Sequence, residues 1–370
     1  MKISFQKEDF LNSLNIVTRA LKKGNLYQIL DCVLIDASKN KISLICQDGK
    51  EITIVKEAEG NIIEKGKAAI DGGRLLDIIR SMDDNTDIEL EVKENKECIV
   101  SWGQDKNIKI QAKDETTYPN ITNINKDNKV VINELKLKNI LEKTIFCYDR
   151  NADTGNVVLR GIYFNVKKDR ILAKSMDGYI ISVINDSLMS DFDKYETIIP
   201  GSALEEMNKL LKGEINKDVN IYFNDKNVTF EFSDTLFTAI TIQNSYIDTD
   251  RIFSVEYSTK INIKRMSLIK ALNRAITIIK NNDNRPIIFD IKDDLLNVNI
   301  STLDGEAHED IEIKKTGKEL TIAFNAYNLI KILNTISDEN IDMYFSGAKQ
   351  PVIIKDKQEN YSYLATPVSI

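Results

Sequence analysis

At 370 residues, 42% apolar and 29% charged, the chain is too long for one ordinary core and fits a soluble protein of two or three domains. Five prolines and fifteen glycines exclude long linkers, no apolar run approaches the roughly 18–20 residues of a membrane span, and MKISFQKEDF reads as a first β-strand without a signal-peptide core. The expectation is a cytoplasmic protein with no membrane contact, and its net charge of −7 argues against a nucleic-acid partner unless charge is segregated between faces.

In chain order, the elements repeat with a period of roughly 125 residues. The first segment reads as a helix, FQKEDFLNSLNIVTRALKK, then strands ILDCVLIDA, KISLICQDG and EITIV. A second helix, DGGRLLDIIRSM, follows KAAI and leads into IELEV, CIVSW and NIKIQ. The next segment repeats this order with INELKLKNILEKTIFCY, LRGIYFNVK, RILAKSMDG and YIISVI, then GSALEEMNKLL with three more strands. The last runs IKRMSLIKALNRAITIIK, PIIFDIK, LLNVNISTLDG and EAHEDIEI, then NAYNLIKILNTI and strands to the end. One Asp-Gly pair between alternating strands is an ordinary hairpin turn. Three of them, Asp48-Gly49, Asp177-Gly178 and Asp304-Gly305, recurring inside one element order mark a repeat.

In the later helices Leu76, Leu204 and Leu329 fall in register, as do Ile79, Met207 and Ile332, with Asp71, Ser202 and Asn325 as N-caps. Polar stretches at 113–128 and 244–258 interrupt the periodicity. The fold class is therefore α+β: three tandem pseudo-repeated domains, each of two helices packed on antiparallel sheets, with bounds 1–122, 123–249 and 250–370.

The helices carry the cations. The third repeat's first helix holds Lys264, Arg265, Lys270, Arg274 and Lys280 and no acid, opposite Leu268, Leu272, Ile276 and Ile279. Other helices and their flanks supply Lys7, Arg19, Lys22, Lys23, Arg74, Arg80, Lys136, Lys138, Lys143, Arg150, Lys209, Lys212 and Lys331. On one helix these are an ordinary solvated face. If equivalent helices share one side, they would sum into a positive surface for duplex phosphates, which needs neither base contacts nor a net-basic chain. No aromatic residues interleave with them, so stacking on single strands is not expected.

With the repeat and helices in place, the chain resembles the β subunit of bacterial DNA polymerase III, the sliding-clamp family. The resemblance covers the whole chain and rests on the tripled domain, the MKISF start, Tyr118-Pro119-Asn120, the SMDG turn and the YLATPVSI terminus. It implies three DNA-clamp domains and a head-to-tail homodimer, a closed ring with twelve helices lining a hole for duplex DNA. The seam it implies pairs the strand of Ile108 and Ile110 with the helix around Ile278. Implied partners are the polymerase III catalytic subunit, a clamp loader, and other DNA polymerases and repair proteins that dock a short hydrophobic peptide.

The resemblance places that peptide on Leu159, Met176, Gly178, Tyr179, Ile180 and Ile181, on Ile247, Arg251 and Ile252, and on Leu364, Thr366, Pro367, Val368 and Ile370. Taken alone, the last group reads as an edge strand that simply ends the fold. Three positions depart from the family pattern. Tyr179-Ile180-Ile181 stands where His-Arg-Leu is common, Ile247 where proline is usual, and Thr366-Pro367-Val368-Ser369 for Met-Pro-x-Arg. The cleft is expected to be less cationic for it.

A catalytic role finds little support. Walker, GxGxxG, G-x-S-x-G and HExxH motifs are missing, the one histidine (His308) lies in an acidic strand, and no cofactor or metal site is expected. Cys32, Cys46, Cys98 and Cys147 form no C-x-x-C pair and read as buried small hydrophobes. Scattered carboxylates leave a metal-dependent nuclease open, and a repeat scaffold for proteins alone is the third reading.

Overall fold

The computed structural model describes every residue except 23–26, 121–125, 127, 152–154, 190–193, 280–284, 304, 357–359 and 370. Lys23, Lys280, Asp304 and Ile370 thus lie outside the described residues.

The recurring module is one strand, one helix and three further strands. The first repeat contains β1 (Lys2–Gln6), α1 (Lys7–Val17), β2 (Cys32–Asp36), β3 (Ile42–Gln47) and β4 (Ile52–Ala58), and an added β5 (Asn61–Glu64). Its second half is β6 (Lys67–Asp71), α2 (Gly72–Arg80), β7 (Asp87–Val92), β8 (Glu97–Trp102) and β9 (Lys106–Gln111). The central repeat runs β10 (Lys129–Asn133), α3 (Glu134–Glu142), β11 (Gly161–Val166), β12 (Arg170–Met176) and β13 (Ile180–Ser187). It continues with β14 (Tyr195–Pro200), α4 (Gly201–Leu210), β15 (Asp218–Asn224), β16 (Asn227–Phe232) and β17 (Thr235–Ile240). A short α5 (Asp250–Phe253) interrupts the polar stretch that the sequence marks as linker. The last repeat runs β18 (Thr259–Lys264), α6 (Arg265–Ile276), β19 (Ile287–Lys292), β20 (Leu295–Thr302) and β21 (Gly305–Gly317). It ends with β22 (Leu320–Phe324), α7 (Ala326–Thr335), β23 (Asn340–Phe345), β24 (Val352–Lys355) and β25 (Tyr361–Ala365).

The strand before each helix crosses to the other half of its repeat. In the first repeat β1 pairs with β7 and β6 with β2; in the central one β10 pairs with β15 and β14 with β11; in the last, β18 pairs with β23 and β22 with β19. All six ladders are antiparallel, so each repeat is two modules laced together by exchanged strands.

Successive repeats are joined in the same way, β17 beside β4 with Phe237 opposite Ile54, and β13 beside β25 with Ile181 opposite Leu364. For that reason the compact units do not follow the repeats: one comprises Met1–Leu137 with Ala203–Thr241, the other Lys138–Ser202 with Ile242–Ile370. The first unit holds the sheets β5-β1-β7-β8-β9 and β10-β15-β16-β17-β4-β3-β2-β6. The second holds one twelve-stranded sheet, β14-β11-β12-β13-β25-β24-β23-β18-β21-β20-β19-β22.

Helical spacing explains which faces are buried. α1 buries Phe10, Leu14 and Val17 against β3, β4 and α2, and α6 buries Leu268, Leu272 and Ala275 against α7, β20 and β21. Asp71 and Asn325 cap α2 and α7, accepting from the amides of Arg74 (2.8 Å) and Asn328 (3.3 Å). Ser202 is not a cap, because α4 already begins at Gly201. A Cβ at Gly201 would come within 2.3 Å of the Tyr148 ring, so only glycine lets the helix start there. Within α2 the buried pair is Leu75 and Ile79, four apart; Leu76 is half-exposed, one position off the register read from sequence.

Candidate partner-binding surface and basic helices

β25 lies between β13 and β24, inside the twelve-stranded sheet. The terminus is therefore not an edge strand. Beyond it the chain stays tied: the Thr366 amide and hydroxyl both donate to the Tyr179 carbonyl (2.9 and 3.1 Å), and the Val368 amide donates to the Ala323 carbonyl (2.8 Å).

The turn before β13 is set by Asp177, whose Oδ1 accepts from the amides of Tyr179 and Ile180 at 2.9 Å each, while Gly178 takes φ +94°. The turn leaves the Tyr179 side chain 66% exposed. Beyond it, period-two alternation sends Ile181 to one face and Ile180 to the other. Ile181 joins Met176, Ile353 and Leu364 in a buried cluster flanked by Leu159, Val183, Tyr246, Phe253, Tyr257 and Tyr344. Ile180 is wholly buried and out of phase with that cluster, so it is withdrawn from the cleft expected from sequence. Ile247 (40%), Ile252 (38%) and Val368 (37%) are exposed apolar side chains, and Arg251 is also exposed. Pro367 is half-buried. Sequence reasoning missed Ile353 and the tyrosines; Ile353 sits in VIIK, a run whose periodicity does not say which face a residue takes.

The basic residues divide sharply. Lys7 is buried, its Nζ donating to the Met82 carbonyl (2.5 Å) and to Asp84 (2.6 Å), so it is spent inside the fold and offers nothing to phosphate. Arg265 donates from Nε to the Asp338 carbonyl (2.9 Å) and from Nη1 to the Leu333 carbonyl (3.1 Å), closing the C-terminal end of α7. Arg274 forks onto both oxygens of Glu309, which it holds below the usual carboxylate range.

Lys22 pairs with Asp48 (2.7 Å) and Glu51 (3.1 Å), Arg19 with Glu206 (3.4 Å), Lys209 with Glu206 (2.6 Å), and Arg80 with Asp77 (3.8 Å). Lys143 lies 4.4 Å from the Tyr361 ring centre, and Arg150 lies 4.6 Å from that of Tyr148. Lys136 is half-buried near the start of α3. Arg74, Lys212, Lys270 and Lys331 are exposed and make no ion pair among the described residues. This last group is the readiest for a polyanion.

β9 is an edge strand, with Ile108 and Ile110 half-buried on it, and Ile278 is half-buried just beyond α6. The YPN tripeptide has a structural duty: Tyr118 is buried in a cluster with Cys32, Leu34, Ile45 and Ala69, and the Pro119 carbonyl accepts from Gln47 Nε2 (3.0 Å). All four cysteines are free and buried, and burial pushes Cys32 up to about 11 and Cys98 up to about 12, beyond reactive range. His308 is exposed on β21, 3.0 Å from Asp310. No group of three metal-ligating side chains occurs among the described residues, and no helix there is long and apolar enough to cross a membrane.

Six strand–helix–three-strand modules, laced in pairs into three tandem domains, define a DNA-clamp fold. Comparison with known families assigns the three repeats in turn to the DNA polymerase III beta subunit, with its N-terminal domain matched at residues 1–122, its central domain at 131–248 and its C-terminal domain at 250–369. A crystal structure from Eubacterium rectale described as a DNA polymerase III beta subunit is 30% identical, with a TM-score of 0.96, over 100% of this chain and 99% of that one. The Bacillus subtilis DNA polymerase sliding clamp is 22% identical at a TM-score of 0.95, covering 100% of this chain and 99% of that one. The "Beta sliding clamp" of Staphylococcus aureus is 24% identical over 100% of this chain and 99% of its own length. The chain belongs to the DNA polymerase III beta subunit family.

Proposed function

We propose that this protein is a non-catalytic sliding clamp, a homodimeric ring that encloses duplex DNA and tethers the polymerase III catalytic subunit to its template. The observation that carries the reading is the unbroken run of clamp domains over nearly the whole chain, with the 30% identical relative aligned end to end. A ring holds DNA by enclosure, so tight ionic affinity is unnecessary and would slow sliding. That suits a chain of net charge −7 in which many helix cations are already paired. The role sets the protein in the cytoplasm, where a clamp loader would open and place it.

Head-to-tail closure would pair the free edge at β9 with the region of Ile278 in a second copy, sealing two apolar seams. Partners would dock a short hydrophobic peptide against the exposed apolar side chains of Tyr179, Ile247, Ile252 and Val368, with the buried cluster of Met176, Ile181, Ile353 and Leu364 as the floor. The test is a primer-extension assay on a primed circular template with the catalytic subunit and clamp loader. The protein should lengthen the product made per binding event, and removal of Pro367 to Ile370 should abolish that effect. Product length unchanged by the intact protein would overturn the reading.

A further inference from the structure

The face of the twelve-stranded sheet that carries the apolar cluster does not stop at it. Strand register places Met176, Ile181, Leu364 and Ile353 in one row across β12, β13, β25 and β24. Two residues along each strand, roughly 7 Å further on the same face, the row becomes Lys174, Val183, Ser362 and Lys355. The next holds Leu172 opposite Asn185, and the one after it begins with Arg170. An apolar floor thus runs directly into a polar, cationic trough.

The trough is a cavity of about 420 Å³ lined by four cations, Lys167, Arg170, Lys174 and Lys355. Among the described residues its lining contains one carboxylate, Asp250, which pairs with Lys174. Lys174 is 7% exposed, whereas its partner's carboxylate stands largely in solvent. Arg170 is exposed at the far end, and Lys355 lies 5.7 Å from the ring centres of both Tyr257 and Tyr344, at the joint between floor and trough. In a chain with seven more acids than bases, such a concentration of positive charge is local and directional.

We propose that this trough is a second half of the partner site and takes an acidic segment adjoining the hydrophobic anchors of the docked peptide. The inference rests on the peptide-docking reading above and deepens it. An extended segment that seats its anchors over the buried row of Ile181 and Leu364, against the side chains that flank it, repeats its side chains every two residues, the spacing of the rows beneath it. Its next outward positions therefore meet Lys174 and Lys355, then Arg170. Carboxylates there gain charge-assisted contacts and fix the direction in which the peptide lies. Positive charge thereby reaches the docked segment from strands β12 and β24.

The experiment uses two fluorescein-labelled synthetic peptides with the same leucine and phenylalanine anchors, one flanked on both sides by Glu-Glu and its twin by Gln-Gln. Anisotropy titrations compare the intact protein with the Arg170→Gln, Lys355→Gln double variant. The acidic peptide should bind about tenfold more tightly at roughly 0.05 M salt, with the ratio shrinking toward one near 1 M. The double variant should cut the low-salt ratio to about two. Equal affinity of the twins for the intact protein overturns the trough while leaving the docking site standing. Failure of both twins to bind overturns the docking site, and the trough with it.

Discussion

On the proposed docking surface, Tyr179→Ala should separate partner binding from folding more cleanly than any other change. The side chain is 66% exposed, and what the turn takes from this residue is backbone: its amide donates to Asp177 and its carbonyl accepts from Thr366. Truncation should therefore cost the fold no more than about 0.5 kcal/mol, the usual range for a surface substitution. A buried aromatic side chain covers roughly 150–250 Å², so the exposed two-thirds leaves about 100–165 Å² for a partner to cover, or about 2.5–4 kcal/mol at ~25 cal/mol per Å². Ordering costs take back part of that, leaving about 2 kcal/mol, or roughly thirtyfold in affinity. The assay is titration of a labelled polymerase-derived peptide against both proteins, with thermal unfolding as control. A melting temperature within about 2 °C of the parent and a thirtyfold weaker complex is the expected pair of results. Unchanged affinity would refute the assignment of Tyr179 to the partner surface.

Three further outcomes follow from particular side chains. Ile278→Asp should give a folded protein that sediments at the monomer mass of 42.1 kDa, because closing the seam would bury a lone carboxylate; a stable dimer of that variant would remove Ile278 from the seam. Replacing Arg74, Lys270 and Lys331 by alanine should flatten the salt dependence of DNA binding by up to about 0.9 in log–log slope for each phosphate no longer neutralised, whereas Lys7→Met should leave that slope alone and lower stability. For Asp48, burial works to raise the carboxyl's pKa, but the Ile52, Glu51 and Lys50 amides and the Lys22 ammonium outweigh it and hold it below the usual range. A depressed carboxylate lends stability that is present above its unfolded value, about 3.9, and lost as pH falls through the folded value. Asp48→Asn should thus weaken the protein at pH 7 and make the acid limb of its stability profile shallower; an unchanged limb would deny Asp48 that part.

Much of the architecture was legible because it is periodic. Helices and strands show their buried faces at spacings of 3.6 and 2, and repetition three times over separates a shared order of elements from chance hairpins. Strand exchange is not legible: β1 and β6 look alike in sequence, and nothing local states that each pairs in the other's half. The merging of repeats through β17–β4 and β13–β25 is hidden for the same reason, which is why the two compact units cut across the three domains. RILAKSM already displays Arg170, Leu172, Lys174 and Met176 on one face, but only the pairing with β13 and β25 shows that face to be continuous with the apolar cluster of Ile181 and Leu364. Burial of Lys7 and Ile180 depends on distant partners, Asp84 for one and the opposite sheet face for the other. A helical count of cations therefore includes Lys7, and a motif match includes Ile180.

Enclosure of DNA is the central claim, and topology tests it directly. The protein is loaded on nicked circular DNA, separated from free protein at high salt, and the DNA is then cut once with a restriction enzyme. Retention on the circle and release within minutes of linearisation, with the DNA otherwise intact, is the expected result. Equal retention on circle and linear duplex would mean that the protein grips DNA by direct ionic attraction, and the ring would have to be given up.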